Sequence, residues 1–257
     1  MAKLFRLVDD ATGRPQLATK AQTAAILGVQ TLTSTKTSNY TAVAGERVVY
    51  AFSFGPYDIK LPAAPVAGDI VSLVHEYGIG AYVDTSVSHV TVDGNGKSLS
   101  GSSILLFRLS TAESVEFQYN GVYWMLTRSS MPVIQRTSFA SMNVGSGVQI
   151  IGGNAIQAAV AGVGAGNNKF TGVLLSATNG IDPAFVQTDG CVVIPSALRS
   201  GTWNAGIRVY LDPSTPGSFT VDEPAVSGDW IVPVGWTIGF DTWGQMMIDR
   251  GEPSQVP

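Results

Sequence analysis

Short apolar runs, each cut off within a few residues by glycine, Asp-Gly or Asn-Gly, recur along the whole chain and leave little room for long helices. In Arg47–Phe54 a period of two puts Val48, Tyr50, Phe52 and Phe54 on one face, and in Ser114–Tyr119 it does the same for Val115, Phe117 and Tyr119. Strict alternation is the mark of a half-buried strand. Residues 89–92 run into Asp93-Gly94 and Asn95-Gly96, types that tolerate the positive φ of a tight hairpin, and Asn120-Gly121 repeats the device before Val122–Leu126.

From Thr127 to about Gly147 the strand signals thin, which places a junction there. They resume at Gln149–Ile151 and continue through Phe170–Leu175, Cys191–Ile194, Gly206–Leu211, Trp230–Phe240 and Gln245–Ile248. Pro233 removes one ladder donor from the Trp230–Phe240 run, so that strand should be an edge, a bulge or a bend. The one helix candidate, Thr19–Leu27, is Ala-rich and stops at Gly28. The expectation is an all-β fold: two small β-sandwich or barrel domains after a short N-terminal segment with one short helix. The boundaries read as 1–44 (attachment segment and connector), 45–130 (first β domain), 131–148 (linker) and 149–257 (second β domain).

Composition narrows the partners. Charged residues make up 13% of the 257 residues, against about 25% in ordinary globular chains. So few charges leave a large surface poorly solvated unless other subunits cover it, which points to an oligomer. The formal net charge of −4 without any basic run argues against a nucleic-acid or anionic-membrane partner. Cys191 stands alone, so no intrachain disulfide and no cysteine zinc cage can form. The start lacks the apolar core of a signal peptide, and no run approaches the ~20 apolar residues of a membrane-spanning helix. Synthesis in a reducing cytoplasm is expected.

Two stretches carry more than generic β character. Ala42–Tyr50, Tyr57–Val71 with its Leu-Pro-Ala-Ala-Pro-Val-Ala-Gly-Asp, Val90–Gly96 and Val115–Trp124 together resemble a small β module of tailed-phage fibre and other virion proteins. Val209–Thr220, Glu223-Pro224 and Ile231–Ile238 look, more loosely, like the C-terminal β-barrel of phage head-fibre, decoration and tail-associated proteins. The resemblance implies a homotrimer located in the virion and docked by its N-terminal part onto capsid or tail proteins. Leu4, Phe5, Leu7, Val8, Ile26 and Leu27 are then the apolar candidates for attachment. The same resemblance leaves open a tail or baseplate fibre that recognises host surface carbohydrate.

Catalytic constellations are sparse. His75 and His89 are the only histidines, and His75-Glu76 offers no second ligand at a metal-binding spacing. Gly145-Ser146-Gly147 lacks the frame of a nucleophile elbow. Asp182, Asp189, Asp212, Asp222, Glu223 and Asp229 could supply two acids about 5–9 Å apart, as glycoside hydrolysis needs. Most adjoin Gly or Pro, however, and Asp58, Asp69, Asp93, Asp182, Asp212 and Asp229 read as turn formers. No long repeat of the kind that builds enzymatic β-helices stands out. Gly162–Asn168 has neither dinucleotide nor P-loop spacing, and Cys191 before Val-Val-Ile reads as a small core residue. That leaves tryptophan: Trp203, Trp230, Trp236 and Trp243 gather in the second block as candidates for glycan or subunit contact. The reading is a non-enzymatic virion component without cofactor or metal.

Overall fold

The computed structural model describes residues 7–9, 15–17, 31–32, 35–50, 57–75, 90–99, 104–107, 114–152, 155–162, 169–179, 183–238 and 244–257. They form an all-β molecule in which the only helical piece among the described residues is a single 3-10 turn at Ser196–Leu198. The expected helix over 19–27 lies outside the described residues, as do Leu4, Phe5, Ile26 and Leu27. Leu7 and Val8 belong to β1 (Leu7–Asp9), which pairs antiparallel with β2 (Pro15–Leu17) in a two-stranded sheet of its own.

The next strands are β3 (Thr31–Leu32), β4 (Tyr40–Thr41), β5 (Glu46–Tyr50), β6 (Tyr57–Lys60), β7 (Ile70–His75), β8 (Val90–Asp93), β9 (Ile104–Phe107), β10 (Ser114–Tyr119) and β11 (Trp124–Ser129). From β3 to β8 the chain alternates between two sheets, and each strand lies parallel to the one two places earlier: β3, β5 and β7 in one sheet, β4, β6 and β8 in the other. These are short coils of a two-faced solenoid, closed by the antiparallel strands β9, β10 and β11. Both sheets bury their inner faces in one core that includes Val48, Tyr50, Ile59, Leu73, Val92, Phe117 and Trp124. The described part of the expected attachment segment and connector from Thr31 on, residues 31–32 and 35–44, starts the coil: Tyr40 packs on that core and Ala42 is buried in it. Two-residue strands carry no period, so pairing and not pattern defines them.

The coils are punctuated by one turn used repeatedly. Val43-Ala-Gly-Glu46 precedes β5 and Val66-Ala-Gly-Asp69 precedes β7; in each the fourth residue's N–H donates to the valine carbonyl (3.1 and 3.0 Å). Glycine is required at the third position, with φ +80° at Gly45 and +96° at Gly68. The acidic side chain then accepts the valine N–H, at 2.7 Å for Glu46 and 2.8 Å for Asp69. Val226-Ser-Gly-Asp229 repeats the backbone part, with Asp229 N–H to Val226 at 3.0 Å and Gly228 at φ +91°.

Beyond these coils come β12 (Val133–Ser138), β13 (Ser141–Met142), β14 (Gly147–Gly152), β15 (Ala155–Ala158), β16 (Gly172–Leu174), β17 (Thr178–Asn179) and β18 (Pro183–Gln187). Strands β12, β15, β14, β16 and β18 close into a barrel around Val148, Ile156, Leu174, Ala184 and Val186. Residues 131–148, expected as a linker, thus contribute a full barrel strand and part of another. The signal was weak because β12 has five of its six side chains at least partly exposed, so its burial leaves little alternation to see. Met131, Leu175 and Phe185 extend the first core, and the Leu105–Ser176 bridge ties β9 to this region.

The last strands are β19 (Gly190–Val193), β20 (Arg199–Ser200), β21 (Arg208–Leu211), β22 (Phe219–Thr220), β23 (Trp230–Ile231), β24 (Pro233–Thr237), β25 (Gln245–Ile248) and β26 (Ser254–Gln255). Six of them form a sheet in the order β19-β25-β24-β21-β22-β20, with β23 and β26 paired apart. Its inner face buries Val192, Val209, Leu211, Phe219, Val234, Met246 and Ile248. No helix of the described residues is long and apolar enough to cross a membrane.

Candidate functional site

The outer face of the six-stranded sheet presents one row of side chains in cross-strand register: Cys191 opposite Met247, Met247 opposite Trp236, and Trp236 opposite Arg208. Alternation accounts for three of the four. Val192, Met246 and Val209 point into the core, so their neighbours Cys191, Met247 and Arg208 point out. Cys191, expected in the core, is therefore half-exposed, with its Sγ 3.9 Å from Met247 Sδ.

Trp236 needs a further device. It has the same parity as Val234, which is fully buried, so a regular strand would bury both. The ladder between β21 and β24 slips at this point: Val209 faces Gly235 but Tyr210 faces Pro233, leaving Val234 as the extra residue of a bulge. The bulge sends Val234 inward and turns Trp236 out, where it is 43% exposed beside Met247 at 40%. Pro233 opens the strand and meets the bulge expected for it.

The indole is held on two sides. Its Nε1–H donates to Asp249 Oδ2 at 2.8 Å, and the Arg208 guanidinium carbon lies 4.8 Å from its ring centroid. Arg208 in turn donates from Nη1 to the same Oδ2 at 2.7 Å and from Nη2 to the Asp249 carbonyl at 2.9 Å. The Arg208 hydrogen bond, joined by that of Trp236, holds the Asp249 carboxyl below its ordinary range, against a small opposing effect of burial. Two residues along β21, the Tyr210 hydroxyl donates to Glu223 Oε2 at 3.4 Å; burial first and the Glu223 charge second push this phenol up. The result is a shallow platform: a fixed aromatic ring, a carboxylate, a cation and a thioether on open sheet.

The other predicted tryptophans are used differently. Trp203 packs half-buried on the second core, with its Nε1–H on the Ser200 carbonyl at 3.0 Å and Arg199 5.4 Å from its ring. Trp230 packs on the same core from β23. Trp243 lies outside the described residues. Arg208, Met247 and Asp249 were not singled out by sequence, because only the strand register brings positions so far apart in the chain to one spot.

Several carboxylates are engaged in local backbone geometry. Asp69 caps Val66, Asp93 accepts the Asn95 N–H at 2.7 Å, Asp189 accepts the Gly190 N–H at 2.6 Å, and Asp212 Oδ1 accepts from Ser214 N–H at 2.8 Å. Among the described residues no three His, Cys, Asp or Glu side chains group as metal ligands. His75 ends β7, in register with Tyr50, while His89, Asp182 and residues 163–168 lie outside the described residues. Compared with known proteins, the chain matches no family model and no curated protein.

Proposed function

We propose that the chain is a structural, non-enzymatic component of a tailed-phage virion: a homotrimer that decorates or projects from the particle as a head fibre, docked through its N-terminal segment. One observation carries this reading most directly. The residues that resemble virion modules are spent on architecture: Asp69 on its own turn, Asn120 on the N–H groups of Val122 and Tyr123 at 2.9 and 2.8 Å, and Trp124 in the core, with Tyr119 5.4 Å from its ring. Such residues build a rigid body of short coils and barrel strands, which suits a building piece whose work is to hold a place.

The N-terminal hairpin adds support. A two-stranded sheet alone is only marginally stable in water, and β1 with β2 forms one. Docking on another virion protein would stabilise that hairpin. Trimerisation would cover the apolar surface that a low-charge chain leaves in water and would multiply weak contacts through valency.

Native mass measurement on the purified chain tests the trimer: three copies are expected, and a chain that stays single at micromolar concentration overturns the reading. Deleting residues 1–30 should leave the fold in place and abolish incorporation into particles; unchanged incorporation refutes N-terminal docking.

A further inference from the structure

A platform built by a bulge, tied by three polar contacts and left open on the sheet surface invites a ligand. We propose that the outer face around Trp236 binds a neutral pyranoside, a function beyond the structural role above. The indole has one face under Arg208 and, at 43% exposure, leaves the rest of its apolar plane to solvent; Asp249 and Arg208 already immobilise it, so stacking a ligand there freezes little further side-chain freedom. Met247, beside it in register, widens the apolar floor. Asp249 Oδ2 takes both protein donors, from Arg208 and Trp236, while Oδ1 has no hydrogen bond among the described residues and stays available to a hydroxyl. A sugar ring matches this pattern: one face lined by C–H groups for the indole, and hydroxyls at the rim for the carboxylate.

Charge decides between candidate ligands. Arg208 gives one N–H from each Nη to Asp249 and only 19% of its side chain is exposed, against 58% for Asp249, so the carboxylate is the more accessible of the two charges. Carboxylated or sulfated sugars would meet repulsion there. A protein surface closing over the same spot would have to strip water from a carboxylate whose side chain is 58% exposed, and interface cores are depleted of such groups. Sugar hydroxyls replace that water bond for bond. A single shallow ring on open sheet gives weak affinity per site, which three copies would raise through avidity.

Saturation-transfer difference NMR on the full-length chain, with methyl β-galactopyranoside and methyl β-glucopyranoside as separate probes, tests the site. At least one probe should show transfer to its ring C–H protons at millimolar concentration. The transfer should vanish in Trp236→Ala, weaken in Trp236→Phe, which keeps a ring, and weaken in Asp249→Ala, an exposed change that spares the core. N-acetylneuraminic acid should show none. Absence of transfer from both neutral probes, transfer that survives Trp236→Ala, or stronger transfer from the acidic sugar each overturns the proposal. So does a Trp236→Ala chain that folds but loses its oligomeric mass, since a second copy would then occupy the face. The wild-type native mass is read independently, so a trimer without sugar transfer sinks this site and leaves the structural role standing.

Discussion

Phe219→Ala probes how the barrel and the six-stranded sheet are joined. Phe219 is fully buried, packs edge-on against Phe170 with centroids 6.2 Å apart, and lies so close to β14 that a Cβ on Gly147 would come within 2.9 Å of its ring. Two backbone hydrogen bonds near it cross the two parts, Gly147 N–H to Gly217 at 2.8 Å and Gly217 N–H to Ala159 at 2.8 Å, and Ala159 N–H to Gly147 at 2.9 Å joins their barrel ends. Truncating a buried phenylalanine costs about 3–5 kcal/mol, the larger values where the walls cannot collapse. Here one wall is barrel backbone, so the upper part of that range applies. A loss of about 4 kcal/mol raises a shared opening equilibrium roughly a thousandfold. Hydrogen exchange read by mass spectrometry should therefore show peptides of β14–β16 and of β24–β25 losing protection together. Barrel peptides that keep wild-type protection while sheet peptides lose it would refute the coupling. Phe219→Leu, which retains most of the volume, should give the same joint pattern at smaller size.

Gly68→Ala should cost about 1–2 kcal/mol in thermal or urea unfolding, because φ is +96° and no atom lies within 4 Å to add a clash; an unchanged midpoint refutes the conformational account. Thr178→Val should cost about 1–3 kcal/mol, since the buried Thr178 hydroxyl accepts from the Met142 N–H at 3.1 Å and donates to the Ala140 carbonyl at 2.8 Å; the carbonyl keeps the Ser138 hydroxyl, but the buried N–H loses its acceptor. The Asp249 carboxyl, followed by carbon NMR, should titrate below its ordinary 3.8, and Arg208→Leu should move the midpoint back up. Because the folded value is depressed, the pair's contribution is complete above the ordinary carboxylate range and is lost as pH falls through the depressed value. Asp249 is exposed, so the change should be seen in the order of the Trp236 ring rather than in the melting temperature.

Sequence made the strongly alternating strands legible and missed those that owe their existence to neighbours. Val48 and Tyr50 in β5, and Val115, Phe117 and Tyr119 in β10, are buried on the face their spacing indicates, and Asn95 and Gly96 do adopt positive φ at the end of β8. Phe52 and Phe54, expected on the same face, lie outside the described residues. The solenoid went unseen because β3 and β4 are two residues long and the interval between coils is uneven. Its one sequence trace is the repeated Val-Ala-Gly followed by Glu or Asp at 43–46 and 66–69. The site was half legible. An apolar run containing Trp236 is plain to see, but its parity with Val234 assigns the indole to the core, and only the extra residue in the β21–β24 ladder reverses that.

The scarcity of charge gives the Trp236 platform its weight. Two ion pairs that join described residues to each other differ in kind. Arg128 reaches Glu116 at 3.7 Å with its side chain 82% exposed, a contact that solvent screens to little value. Arg208 is largely covered, with 19% of its side chain exposed, and grips Asp249 through both Nη atoms while lying over an indole that grips the same carboxylate. Elsewhere in the fold, Asp69, Asp93, Asp189 and Asp212 are committed to backbone N–H groups that stop strands and close turns. At Asp249 the carboxylate instead fixes two large side chains on a solvent-facing sheet. Such fixing contributes little to global stability, since all three groups stand outside the core. What it does supply is one orientation of an exposed ring, and a ring in a defined orientation is of most use when something is to be laid against it.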